Sequence, residues 1–214
     1  MKQRGLLAGM GGFAAIGLAG CLGTVGMDTH EASPAGVASD VRDGTGYEQI
    51  NVDEFVVDQS FDIAGVSEEI TVRNYLTEHE KGIDLGLAGT VRAAAFAVLT
   101  SPQISIAGQE LNPITRMSAE ELIGLVGADF DEIGDVEHVS DGETNVLDQE
   151  TTASLHVADA AFDGVTVDVN IELTESVETA DDHLVTIGVY PELVEGIESE
   201  NIQTLRGGIV ESIG

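Results

Sequence analysis

Two short clusters hold the residues best suited to chemistry. Cys21 is the only cysteine, and it follows Leu18, Ala19 and Gly20 at the end of an uncharged run. Small residues at 19 and 20 let a chain enter a peptidase site. The thiol is a nucleophile that can form a thioether to lipid. With Cys21 so committed, neither a disulfide nor a cysteine nucleophile is available. The second cluster is Glu78, His79 and Glu80, flanked by Thr77 and Lys81 at the end of an alternating run. Carboxylates beside an imidazole raise its pKa and suit it to acid–base work. The competing reading is a salt-adapted strand edge, with His79 on a solvated or groove-lining face. Asp181-Asp182-His183 reads as a turn. The best calcium candidate, Asp129 to Asp135, fails because an EF-hand loop wants a carboxylate or amide at its fifth position and Glu at its twelfth. Those positions hold Ile133 and Ser140. Nucleotide-binding glycine motifs, a Gly-x-Ser-x-Gly elbow and His-Glu-x-x-His do not occur. No metal and no cofactor is expected.

The residues around Cys21 have the layout of a secretory signal over 1–21. Lys2 and Arg4 supply a positive start, and Gly5 to Gly20 carries no charge. That run is shorter than the roughly 20 apolar residues of a membrane span. Leu18-Ala19-Gly20-Cys21 resembles a lipobox, the cleavage and lipidation signal of bacterial and archaeal lipoproteins. The expectation is a lipid on Cys21 that holds the protein on the outer face of the cytoplasmic membrane. A single chain anchors weakly, and a two-chain lipid would anchor stably. Gln3-Arg4-Gly5-Leu6-Leu7 is similar to a twin-arginine signal with Gln in the first arginine's place, so that route and general secretion both stay open.

Charge bounds the partners. The 39 acidic and 8 basic side chains give a formal charge of −31. Such a surface repels phosphate, which excludes nucleic acid. It also strains a compact fold unless salt screens it, and the Debye length falls from about 10 Å at 0.1 M to about 3 Å at 1 M. Only Lys2 and Lys81 are lysines. Apolar content of 43% and strong patterning exclude a disordered acidic chain.

Hydrophobic periodicity supplies the elements. Val165, Val167, Val169, Ile171 and Leu173 alternate with polar residues, which is period 2. Similar alternation marks Phe55 to Ile63, Ile70 to Leu76, Ala94 to Val98, Ala153 to Val157 and Val185 to Val189. Clean alternation predicts antiparallel pairing rather than burial on both faces. Ser33-Pro34 predicts a brief helix opening. Ser118-Ala119-Glu120-Glu121 is a capping box with Met117 and Leu122 as its staple. The last helix is expected from about Ser199, with an Ile202, Leu205, Ile209 stripe that docks on the Val167, Val169, Ile171 face. The fold class expected is α+β, an antiparallel sheet with helices packed on one face. The domains expected are a signal over 1–21, a tether over 22–32 and one acidic domain over 33–214.

With those elements placed, the chain resembles a family of secreted haloarchaeal lipoproteins with no assigned function. The residues that carry the resemblance include Thr77 to Lys81, Phe96 to Pro102, Ala107-Gly108-Gln109, Asn112-Pro113 and Gly188-Val189-Tyr190-Pro191. The element order also looks like the small sheet-plus-helix fold of the photosystem accessory protein PsbP. The resemblance implies a secreted, lipid-anchored, salt-adapted setting and carries no active site. The expected function is a non-enzymatic binding or envelope module with an unidentified protein or small-molecule ligand. The competing expectation is a carboxylate- and His79-dependent hydrolase or cation-binding enzyme.

Overall fold

The computed structural model of the protein describes residues 28–63, 66–84, 86, 89–106, 109–110, 114, 117–126, 132–162 and 165–213. Leu18, Ala19, Gly20 and Cys21 lie outside these residues, as do Asp129, Phe130 and Asp131 of the rejected calcium loop.

The alternating runs become long strands. β3 (Glu48–Ile63), β4 (Val66–Asp84) and β5 (Thr90–Pro102) form one antiparallel meander. β9 (Glu137–Val146), β10 (Gln149–Phe162), β11 (Val165–Thr174) and β13 (Asp182–Pro191) form a second. The meanders join where β13 pairs antiparallel with β5, from Asp182 opposite Pro102 to Val189 opposite Ala95. The short strands β1 (Asp28–Glu31), β8 (Glu132–Ile133) and β12 (Val177–Glu178) complete a ten-stranded sheet among the described residues. Among the described strands only β1 runs parallel to its neighbour, beside Ile70 to Arg73 of β4. β6 (Ser105–Ile106) and β7 (Gln109–Glu110) pair separately.

Among the described residues three helices cover the sheet: α1 (Ser39–Thr45), α2 (Ala119–Val126) and α3 (Glu195–Gly207). The class is α+β, as its patterning predicts. The capping box forms at α2: Ser118 N–H donates to Glu121 Oε2 at 2.8 Å, and Glu121 N–H to Ser118 Oγ at 3.3 Å. The helix expected at Ser33 forms instead at Ser39. Ser33 N–H donates to the Asp182 carboxylate at 2.9 Å, which ties that segment to the start of β13.

Pleat parity tells which face each helix covers. α3 reaches even-numbered β13 positions: Ile202 lies against Gly188, and Arg206 bonds Thr186. α2 covers odd-numbered ones, its Leu122 lining a cleft with Leu173 and Val185. β13 is therefore buried along its whole length, Leu184, Thr186, Gly188 and Tyr190 included. This corrects two expectations. The central strands are covered on both faces, and α3 docks on the Asn170, Glu172, Thr174 face rather than the Val169, Ile171 face. The physical reason is Gly188. A Cβ there would lie 2.9 Å from Ile202, so its absence makes the notch that receives α3. An alternation count records only side chains that exist. Asn170, expected outside, is buried at 3% exposure.

Ile202 and Leu205 are fully buried, as the expected stripe requires. The helix ends at Gly207. Gly208 N–H donates to Leu205 O, and a Cβ at 208 would lie 2.7 Å from Val41. Glycine at 208 thus lets α1 close on α3. The chain leaves as β14 (Ile209–Val210), paired with β2 (Gly36–Val37).

Candidate functional site

The Glu78, His79, Glu80 cluster does not converge. Successive strand residues point to opposite faces, so His79 faces α3 and both glutamates face away. His79 is fully buried. Its Nδ1 lies 2.9 Å from Phe96 O, and its Nε2 accepts the Val37 N–H at 3.4 Å. That partner set assigns the neutral Nδ1–H tautomer. Burial holds the imidazole down at about 4, against an upward pull from the Phe96 carbonyl. The ring is a bracket between β4, β5 and β2. Glu78 is buried and Glu80 half-buried. His183 is buried at the start of β13, 3.4 Å from Ser176 Oγ, rather than in an open turn.

Instead, α3 assembles the polar groups. Its buried stripe of Glu198, Ile202, Leu205 and Arg206 opens on Glu198. Glu198 is 2% exposed and accepts Lys81 Nζ at 2.7 Å and the Tyr47 hydroxyl at 2.9 Å. The ammonium also stands 5.5 Å from the Tyr47 ring centroid. In the last turn of α3, Arg206 is 2% exposed. Its Nη1 donates to Glu172 Oε2 at 2.7 Å and its Nε to Thr186 Oγ1 at 3.2 Å. Tyr190 donates its hydroxyl to Glu172 Oε1 at 2.7 Å. Burial, reinforced by the Glu198 and Glu172 carboxylates, pushes the Tyr47 and Tyr190 phenols far above their ordinary value. Both stay protonated donors at any ordinary pH. The half-buried Lys81 and the buried Arg206 are each matched to one carboxylate.

The Arg206 end opens into a groove of about 530 Å³ between α3 and β9. Glu195, Ser199, Gln203 and Arg206 line it from one helical stripe; Ser140, Gly142 and Thr144 line it from β9. Its floor is Glu172 and Tyr190. The groove exists because these walls are short-sided: a Cβ at Gly142 or Gly207 would meet nothing within 4 Å. Arg206 Nη2 is buried and has no hydrogen-bond partner. An unpaired buried donor costs about 1–3 kcal/mol, more for a charged group. The arrangement sets a charged donor, unpaired at one buried atom, in the wall of a groove lined by hydroxyl and amide groups.

Sequence reasoning missed Arg206, Glu172 and Tyr190. The available signal was an arginine between the stripe residue Leu205 and Gly207, in a chain with only 8 basic residues. A cation spent there must be matched inside the fold. A separate histidine pair stands on the opposite face, His138 and His156 with ring centroids 5.3 Å apart. His138 contacts Asp141 at 2.8 Å, with both side chains more than half exposed. Among the described residues, no group of three or more His, Cys, Asp or Glu is placed to hold a metal ion. Among them too, no helix is long and apolar enough to cross a membrane.

No curated protein matches the chain. A family model, described as a domain of unknown function, matches residues 34–210, a span that takes in β2 through β14 and every residue of the groove. The chain belongs to that family, DUF6517.

Proposed function

We propose that this protein is a lipid-anchored cell-surface binding module of a salt-rich environment, held by Cys21 and binding its ligand in the α3–β9 groove. The observation that carries the binding role is Arg206 Nη2, a buried donor without a partner in the wall of an open groove. Binding fits the site better than catalysis. Tyr47, Tyr190 and His79 beside α3 are each held in one protonation state: both phenols are raised and His79 is lowered. General acid–base catalysis wants a pKa near the operating pH. A hydrolase built on His79 would also need Glu78 and Glu80 on the same face. The anchoring role rests on Leu18-Ala19-Gly20-Cys21 closing an uncharged run, and the salt-rich setting on a formal charge of −31.

Membrane fractionation tests the anchor. Cys21→Ser is expected to release the protein into the medium or leave it as uncleaved precursor. A mature-sized mutant that stays with the membrane refutes it.

A further inference from the structure

A separate groove of about 640 Å³ lies where the segment from Pro34 to Arg42 passes over β3 and β4. Strand register sets what reaches it. Val52 stands opposite Thr77, two residues from His79, so Val52 points to the face that His79 occupies. Above that face the Val37 peptide is held at both ends. Its N–H bonds His79 Nε2 at 3.4 Å, and its carbonyl accepts Arg42 Nε at 3.1 Å. One nitrogen on a neutral carbonyl thus fixes the Arg42 guanidinium, which is half-buried in the groove wall. Arg73, Lys81 and Arg206 each meet a carboxylate, at 2.8, 2.7 and 2.7 Å. Among the described residues Arg42 meets none, and its Nη1 and Nη2 make no hydrogen bond. Neither atom is sealed from solvent. In a chain with 39 acidic side chains, one charged fork is left open to an acceptor from outside. Asp40 also lines the groove, two residues from Arg42 on α1, a spacing that turns helical side chains apart. With one cation and Asp40 in the lining, a monoanion matches better than a dianion. The wall beside the fork is apolar and wet: Val52 is 38% exposed and Val210 37%, with Ile213 half-buried beside them. Covering them favours a ligand with a hydrocarbon body. Chloride, the abundant competitor in brine, cannot span both nitrogens and leaves the valines wet. A carboxylate bonds both in parallel. At about 1 M salt the Debye length is about 3 Å, so remote carboxylates are screened and the contact decides.

We infer that this groove binds a short aliphatic monocarboxylate, its two oxygens on Arg42 Nη1 and Nη2 and its hydrocarbon over Val52, Val210 and Ile213. The site shares no residue with the α3–β9 groove, and neither reading depends on the other.

Isothermal titration calorimetry of the full chain in detergent, in molar KCl, tests it with three probes: isocaproate, isocaproamide and acetate. A titration into detergent alone is subtracted. Isocaproate is expected to bind. Isocaproamide keeps the hydrocarbon and loses the charge, acetate keeps the charge and loses most of the hydrocarbon, and each should bind about tenfold or more weaker, the equivalent of about 1.4 kcal/mol. Arg42→Lys keeps the charge and loses the planar fork, and should weaken isocaproate roughly tenfold. Because Arg42 also holds Val37, a second variant leaves that bond alone. Val52→Glu places a carboxylate in the groove at a position already 38% exposed, so isocaproate binding should vanish while the melting temperature holds. Isocaproate heat that survives Val52→Glu in a folded protein comes from elsewhere and overturns the inference. Isocaproamide binding as tightly as isocaproate overturns the role of Arg42. Acetate binding as tightly shows an adventitious ion only and overturns the aliphatic class. Absence of heat from all three probes overturns the site.

Discussion

Gly188→Ala puts the docking of α3 under direct test. The added Cβ would stand 2.9 Å from Ile202 Cδ1, 3.0 Å from Cγ2 and 3.2 Å from Cγ1. Favourable carbon contacts lie at about 3.5–4.0 Å, so strand and helix must part by roughly 0.5–1 Å. Neither moves freely. β13 is buried on both faces and paired on both edges. α3 is tied to the sheet through Glu198–Lys81 and Arg206–Glu172. Overpacking of this kind costs about 1–3 kcal/mol. Ile202→Ala alone leaves a cavity and costs about 2–5 kcal/mol. In the double variant the new methyl enters the space that Ile202 vacates, so its loss should fall short of the sum of the single losses by about 1 kcal/mol or more. Urea unfolding in molar KCl measures this, since urea adds no screening while guanidinium would. Midpoints should move with little change in slope. A Gly188→Ala loss within about 0.5 kcal/mol, or a strictly additive double variant, refutes the notch.

The remaining predictions use the same assay or a simple titration. Leu205→Ala removes a fully buried side chain and should cost about 2–5 kcal/mol; a change within about 0.5 kcal/mol would place α3 off the core. His79 has its pKa lowered from 6.5 to about 4, so its contribution is complete above pH 6.5 and is lost as pH falls toward 4. Wild type should lose urea resistance between about pH 6.5 and 5, above the bulk of carboxylate titration, and His79→Gln should flatten that window; equal slopes in the two proteins would contradict the bracket role. Circular dichroism from molar KCl down to about 0.05 M should show loss of structure, since 39 carboxylates face only 8 basic groups. A melting temperature independent of salt would refute that account.

Local chemistry was legible in the sequence wherever a single element decides it. Period 2 located six of the seven long strands; it passed over β9, whose residues are almost all exposed and so carry no buried face to read. The Ser118–Glu121 capping box and the Ile202–Leu205 stripe were equally readable, since each needs only residues within one or two turns. Tertiary structure decided what depends on a partner far along the chain. Glu172 and Arg206 are 34 positions apart, and Tyr47 and Glu198 are 151. Each of these side chains reads alone as a solvated polar group. Only the docking of α3 turns them into buried pairs and leaves Arg206 Nη2 without an acceptor. The face on which α3 docks was also invisible, because it depends on a side chain that Gly188 lacks. His79 shows the same limit from the other side: its neighbours in sequence are carboxylates, but the pleat turns them away. Its neighbours in space are a carbonyl and an amide, which make it a bracket.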